Sequence, residues 1–378
     1  MNDLRRWAWA EIDLDAVAHN VAVLREAVAP SAVWAVVKAD GYGHGASEVS
    51  RAALAAGAQG LCVALVAEGI ALRESGIDAP ILVLSEQPPD AAAAVVEHRL
   101  TPTVYTRRYL DALITASPDR LPVHLKIDTG MQRVGAHPHT VAAIVASIEE
   151  RFPAVVLAGV FTHLAVADEP ADPFTATQLA RFDDALSHVP TGLAVHVANS
   201  AGALAHPAAR RSFVRAGIAL YGISPGPGVD DLAQTLRPVM SLKARISYVK
   251  QARAGSRISY GRRYQFGSDS TVATIPLGYA DGVPRRLSST TDRPGGQVLI
   301  RGQRCPIVGT ITMDQFMVDC GDLDVRAGEE VVLIGEQEGP RGVERITATD
   351  WADRLGTIGY EIVCGIGKRV PRVYIERP

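Results

Sequence analysis

Between residues 33 and 222 short β-branched runs alternate with alanine-rich stretches of helical period, which restricts this region to folds built from repeated βα units. The strand candidates are 32–39, 60–65, 81–85, 101–105, 123–128, 155–163, 194–200 and 213–222, with helices expected over 46–57, 66–75, 106–116, 137–150 and 173–188. Eight units in about this length point to a (β/α)8 TIM-type barrel, whose site lies at the C-terminal ends of the strands. A doubly wound open sheet is the competing arrangement. After the Pro- and Gly-rich GISPGPGVDD the pattern changes to short strands and turns, with one helical stretch near 347–355. At 378 residues the chain exceeds one ordinary core. The expectation is an α/β chain with a barrel over 10–235 and a mostly β C-terminal domain over 236–378, with which residues 1–9 pack.

Lysine is scarce: of 38 basic residues only Lys38, Lys126, Lys243, Lys250 and Lys368 are lysines. Arginine serves the surface, so the barrel's two lysines, each at the end of an apolar run, call for chemistry that a permanently charged guanidinium cannot perform. Lys38 follows AVWAVV and precedes the glycine turn ADGYGHGA. A buried lysine loses charge by desolvation, and a neutral amine forms a Schiff base; the plainer alternative is a salt-bridged lysine at a strand end.

Net charge −3 argues against a nucleic-acid surface. Cys62, Cys305, Cys320 and Cys364 form no C-x-x-C pair or metal pattern, as suits a reducing compartment. The first residues lack the apolar core of a signal peptide, and no stretch reaches the roughly 20 apolar residues of a membrane span. A cytoplasmic protein with a small-molecule ligand is expected, without nucleic-acid or membrane partners.

VVKADGYGHG resembles the cofactor-lysine motif of alanine racemases, barrel-type enzymes that use pyridoxal 5′-phosphate. HLKIDTGMQRVG, HVANSAG, RAGIALYG, PVMSLKARI, SYGRRY, IPLGYADG, GTITMDQ and GYEIVCGIGKRVPR resemble further family segments in the same order and cover nearly the whole chain. The resemblance implies an isomerase that interconverts L- and D-alanine by a two-base mechanism on a pyridoxal-phosphate aldimine and supplies D-alanine for bacterial peptidoglycan. It implies a homodimer with shared active sites.

Residue by residue, the resemblance gives Lys38 the cofactor and one proton-transfer role, and Tyr260, from the partner subunit, the other. One group returning its own proton would only restore the starting isomer. Tyr42, Asn199, Ser200, Gly217, Ile218 and Tyr360 are expected around the cofactor, mostly at its phosphate; alone, Ser200 reads as a helix cap and Tyr360 as a core tyrosine. Arg215 is expected at the pyridine nitrogen, which a guanidinium leaves unprotonated. A tyrosine with an ordinary pKa of about 10 is a poor base at neutral pH, so His163 and Arg215 are candidates for a relay toward Tyr260; His163 alone reads as a satisfied core histidine. Arg133 and Met313 are expected at the substrate carboxylate, with Asp314 beside them. Lys126 matches a family lysine that is often carbamylated, which would make it an anion able to orient Arg133. Tyr279 resembles an aromatic gate, with a turn-flanking tyrosine as the alternative. Thr312 stands where many relatives have cysteine, a change expected to touch pocket lining more than catalysis.

Other readings compete. Broad-specificity racemisation in the periplasm is disfavoured by the lack of a signal-peptide pattern and by the unpaired cysteines. A purely structural or interaction protein explains none of the strand-end residues. A non-catalytic cofactor-binding barrel would lack the second domain and Tyr260. A decarboxylase of basic amino acids would need an acidic pocket and an electron sink that Arg215 does not favour.

Overall fold

The computed structural model describes residues 6–117 and 119–376. The chain divides into two compact units, one from Asp15 to Arg237 and one formed by the residues up to Leu14 together with Pro238 onward. Of the leading residues 1–9, residues 1–5 lie outside the described residues. Strand β1 (Ala8–Asp13) begins the second of these units.

The Asp15–Arg237 unit holds eight parallel strands: β2 (Ala32–Val36), β3 (Gly60–Val63), β4 (Ile81–Val83), β5 (Thr101–Val104), β6 (Leu121–Lys126), β7 (Val155–Phe161), β8 (Ala194–His196) and β9 (Phe213–Ala216). Sequential neighbours pair from β2 to β8, and β9 pairs back onto β2 with Trp34 opposite Arg215. The ring is completed by N–H bonds from Ser212 to the Val195 carbonyl (2.8 Å) and from Arg215 to the Ala198 carbonyl (3.0 Å). This is the (β/α)8 barrel expected from the alternation, and the open-sheet alternative falls. Helices Ala46–Ala55, Val66–Glu74, Arg107–Ala116, Val141–Glu149 and Phe174–Leu186 occupy the connections. Thr106 caps one of them by accepting the Tyr109 N–H.

Every barrel strand is shorter at its C-terminal end than the apolar runs suggest. Lys38 lies beyond β2, in a turn, whereas Lys126 is the last residue of β6. Ladder pairing stops where the chain leaves the sheet to present side chains at the barrel mouth, yet those departing residues are still largely apolar.

The other unit is mostly β. Its strands are β1, β10 (Met240–Arg245), β11 (Tyr248–Ala252), β12 (Arg257–Ile258), β13 (Tyr264–Gln265), β14 (Ser270–Ile275), β15 (Gln297–Ile300), β16 (Gln303–Val308), β17 (Phe316–Asp319), β18 (Glu330–Gly339), β19 (Gly342–Ile346) and β20 (Arg372–Ile375). One sheet runs β11-β14-β17-β16-β15-β18-β10-β1-β20, with β19 on β18 and β12–β13 as a separate hairpin. Strand β1 is antiparallel to β10 and parallel to β20, so the start of the described chain is tied to its end. Helix Ala348–Leu355 starts with a reciprocal Thr347–Asp350 cap. No helix among the described residues is long and apolar enough to cross a membrane.

Candidate functional site

The barrel mouth is built first by backbone. Ala39, Asp40, Gly41 and Tyr42 have φ of 52°, 53°, 61° and 52°, a left-handed turn directly after Lys38. Each non-glycine residue there costs about 1–2 kcal/mol, so the turn persists only because its surroundings fix it. Glu68 Oε1 accepts the Ala39 N–H (2.6 Å) while Oε2 accepts those of Ala64 and Leu65. Asp40 accepts the Ala46 N–H at 2.9 Å. Glu68 was not singled out from its sequence position, where it is marked only as an acidic residue in a helix's first turn. Lys38 is half-buried, its Nζ 5.9 Å from the Tyr42 ring centroid.

Tyr42, Ser200 and Gly217 come together. Ser200 Oγ accepts the N–H groups of Gly217 (2.9 Å) and Ala219 (3.3 Å). A Cβ on Gly217 would fall 2.7 Å from the Tyr42 hydroxyl. Only glycine allows that approach, and the backbone turns directly into Ile218–Tyr221. Asn199 caps helix Ser200–Ala205 by accepting the Gly202 N–H at 2.8 Å, so the capping expected of Ser200 is done by its neighbour.

Deeper in the barrel the strands aim cations and imidazoles at each other. His124 and Lys126 are two apart on β6 and therefore share a face. Arg215, buried on β9, donates to His196 Nδ1 (2.6 Å) and to the carbonyls of Thr162 and Val197 (both 2.8 Å), and lies 3.4 Å from His163 Nδ1. His196 Nε2 meets His124 Nδ1 at 2.9 Å. Because Arg215 can only donate, His196 accepts at Nδ1, donates from Nε2, and leaves His124 as the next acceptor. Phe161 lies under both the Lys126 Nζ and the Arg215 guanidinium. Neither His196 nor His124 was singled out from sequence, since nothing local marks strands that meet only by barrel closure.

Burial, then Arg215 and Arg133, pull the Lys126 amine down to about 8, with Asp128 opposing. Burial and then Arg215 hold His124 at about 4 and keep His163 and His196 well below the imidazole range. His163 is thus a neutral imidazole, and the charge beside it belongs to Arg215, which burial lowers only to about 10. Arg133 is exposed on a turn organised by Asp128, whose Oδ1 accepts the N–H groups of Gly130 and Gln132.

Tyr260, Tyr279, Met313, Asp314 and Tyr360 belong to the β-rich unit. Tyr260 is 74% exposed next to the β12–β13 hairpin, its carbonyl accepting from Thr310 Oγ1 (3.0 Å). Met313 and Asp314 occupy a turn closed by Thr312, whose N–H and hydroxyl both donate to the Gln315 carbonyl. The hydroxyl therefore does a structural job inside that turn. Met313 is 51% and Tyr279 44% exposed, and the two segments are joined by N–H bonds from Tyr279 to the Thr312 carbonyl and from Ala280 to the Met313 carbonyl. Tyr360 is half-buried in helix Gly359–Cys364.

Comparison with known proteins covers both units. Residues 12–225 match the family described as alanine racemase, N-terminal domain, and residues 239–374 that described as alanine racemase, C-terminal domain. The chain is 47% identical to the alanine racemase of Symbiobacterium thermophilum over 98% of each chain, and 45% identical to that of Thermobifida fusca over 97% of this chain and 98% of the other. Among solved structures, alanine racemase from E. faecalis superposes with a TM-score of 0.90 at 36% identity over 99% of both chains. That of Bacillus anthracis with bound L-Ala-P gives 0.91 at 37% over 100% of this chain and 97% of that one.

Proposed function

The chain belongs to the alanine racemase family, and on that premise we propose that it interconverts L- and D-alanine with pyridoxal 5′-phosphate as cofactor. The observation that carries the reading is the barrel mouth itself. Lys38, Arg133 and Arg215 all act on Lys126 and His163 there, with Asp128 countering them at Lys126. Such a cluster suits a ligand carrying a phosphate and a carboxylate.

The residues fit that cofactor. Gly217, Ser200, Ile218 and Tyr42 would hold the phosphate at the point where a Cβ on Gly217 has no room. Asn199 holds the Ser200 turn, and Tyr360 is assigned to the same phosphate by family pattern. Arg215 would face the ring nitrogen; its other donors are already committed to His196, Thr162 and Val197, which fixes the plane of the guanidinium. When bound, the cofactor acidifies the α-hydrogen of an amino acid held through its aldehyde carbon.

The chain's own groups then move the proton. Lys38 Nζ takes or returns it on one face. Tyr260 Oη, from a second copy of the chain in a homodimer, serves the other, in keeping with its 74% exposure. Neutral His163, whose Nδ1 faces the Arg215 guanidinium at 3.4 Å, keeps its proton on Nε2 and would donate it toward the tyrosine oxygen, favouring the deprotonated form. Arg133 and the Met313 N–H orient the substrate carboxylate, with Asp314 fixed by Arg369 at 2.7 Å and Tyr279 over the approach. Lys126, with its amine near 8, is partly neutral at neutral pH. That amine can add carbon dioxide, releasing one proton and becoming an anion beside Arg133. The proposed setting is the cytoplasm, supplying D-alanine for peptidoglycan.

The test is solvent-deuterium incorporation into each isomer with loss of optical rotation of L-alanine. Tyr260→Ala should retain α-deuterium exchange from D-alanine and lose it from L-alanine, and Lys38→Ala should lose exchange from D-alanine. Equal loss of both in Tyr260→Ala would reject separate roles, and undiminished optical rotation with wild type would reject racemisation.

A further inference from the structure

Strands β16 and β17 pair antiparallel with Ile307 opposite Val318 and Val308 opposite Met317. Continued two positions, the same register sets Cys305 opposite Cys320, on the face shared by Ile307 and Val318. The outward hydrogen bonds identify the type of pair. The Ile307 N–H bonds to the Gly296 carbonyl at 2.9 Å on the β15 side, and the Cys320 N–H to the Thr271 carbonyl at 2.8 Å on the β14 side. A residue's N–H and C=O point the same way in such a ladder, and Cys305 has the parity of Ile307. Cys305 and Cys320 are therefore a non-hydrogen-bonded pair, whose Cα atoms approach to about 4.5 Å with side chains closest. A disulfide accepts Cα separations of about 4.4–6.8 Å. Between Cys305 and Ile307, Pro306 has no N–H to give β17, so the ladder is one bond short beside the pair.

The Cys320 thiol donates to the Val318 carbonyl at 3.9 Å, and the influence of each thiol on the other draws Cys305 below the usual thiol range and, with burial, pushes Cys320 above it. Cys305 is accordingly the more acidic sulfur. Both side chains are almost buried, but Cys320 lies just past the end of β17 and is followed by exposed Gly321.

We propose that Cys305 and Cys320 are a reversible dithiol–disulfide couple, oxidised by hydrogen peroxide and reset by a small thiol. The Cys305 thiolate attacks the peroxide, the O–O bond breaks, and the departing hydroxide takes up a proton to become water. The Cys320 sulfur then attacks the Cys305 sulfur. The S–O bond breaks, and hydroxide leaves with the Cys320 proton as a second water. Two thiols have lost two electrons and two protons, and the peroxide has been reduced to two waters. The small thiol reverses the bond by two exchange steps and becomes its own disulfide.

The bridge would tie the strands on either side of residues 309–315. That segment carries Met313 and Asp314 and holds the Tyr260 carbonyl through Thr310. Oxidation therefore tightens the base of the segment without changing any side chain in it.

The experiment treats the folded full chain with hydrogen peroxide, alkylates it after denaturation and maps its peptides without reduction. The expected result is a Cys305–Cys320 cross-linked peptide, with Cys62 and Cys364 still alkylated and all four thiols restored by dithiothreitol. Tm should rise by several degrees on oxidation, return on reduction, and stay put in Cys320→Ser. Singly alkylated Cys305 and Cys320 after treatment, or sulfinic acid at either without a cross-link, would overturn the proposal. Should Cys320→Ser fail to fold, Cys305→Ala supplies the Tm control, and the peptide map needs no variant.

Discussion

Both units bury ionised groups, but they balance them differently. In the β-rich unit the fully buried Asp281 carboxylate takes a bidentate pair of bonds from Arg6 (2.7 and 2.6 Å), a contact from Arg369 (3.2 Å) and the Gly278 N–H (2.9 Å). In the barrel unit Arg215 is buried against neutral imidazoles and carbonyls, with Arg133 close enough to help lower the Lys126 amine. The first cluster is complete without a ligand and so reads as structure. The second leaves its positive charge only partly answered, by Asp128 at Lys126, which suits the anionic ligand proposed for it.

The comparison is tested most severely at Lys38. Lys38→Ala should lower racemisation by about a thousandfold or more, given that positioned proton transfer alone contributes about 10²–10⁴, while Tm holds. A variant that lost both together would show Lys38 to be part of the scaffold. Asp281→Asn should do the reverse, leaving two guanidiniums against a neutral amide and removing about 3–5 kcal/mol of stability. The urea midpoint reads it, and an unchanged midpoint would mean that Asp281 is no keystone.

Acid sharpens the comparison on the barrel side. His124 stays neutral in the fold down to about 4, whereas an ordinary imidazole takes its proton near 6.5. The unfolded chain thus binds the proton first, so stability is full above about 6.5 and falls as pH drops toward 4. His124 alone accounts for about 3 kcal/mol of that loss, with His163 and His196 acting in the same direction. Urea midpoints at pH 7 and 4.5 should differ less in His124→Gln than in wild type. Equal differences would remove His124 from the account.

How much of this was legible in the sequence depends on distance along the chain. The eight barrel strands were, because each change of period is local. The strand ends were not: Ala39 and Asp40 adopt left-handed φ that nothing in their side chains announces, and Glu68, which fixes that turn, lies 29 residues from Ala39. Lys126 and Arg215 stood out by residue type. The Arg215–His196–His124 chain needs three strands brought side by side, and Asp281 finds Arg6 across 275 residues. The cysteines looked scattered until the β16–β17 register set two of them face to face.

The smallest effect tests the partly answered charge most directly. If the barrel cations await an anion, inorganic phosphate should stabilise the cofactor-free protein by binding the folded state, by about 2.7 kcal/mol at a hundredfold excess over its dissociation constant. Chloride at the same ionic strength should do much less, because screening acts weakly on buried charges. Gly217→Ala should reduce the phosphate effect, since its Cβ would occupy the space beside the Tyr42 hydroxyl. A variant at Arg301, which pairs with Glu329 on the surface of the other unit, should leave it intact. A phosphate shift no larger than that of chloride would mean that the barrel carries its positive charge without needing a partner, and the contrast between the two clusters would then be one of geometry alone.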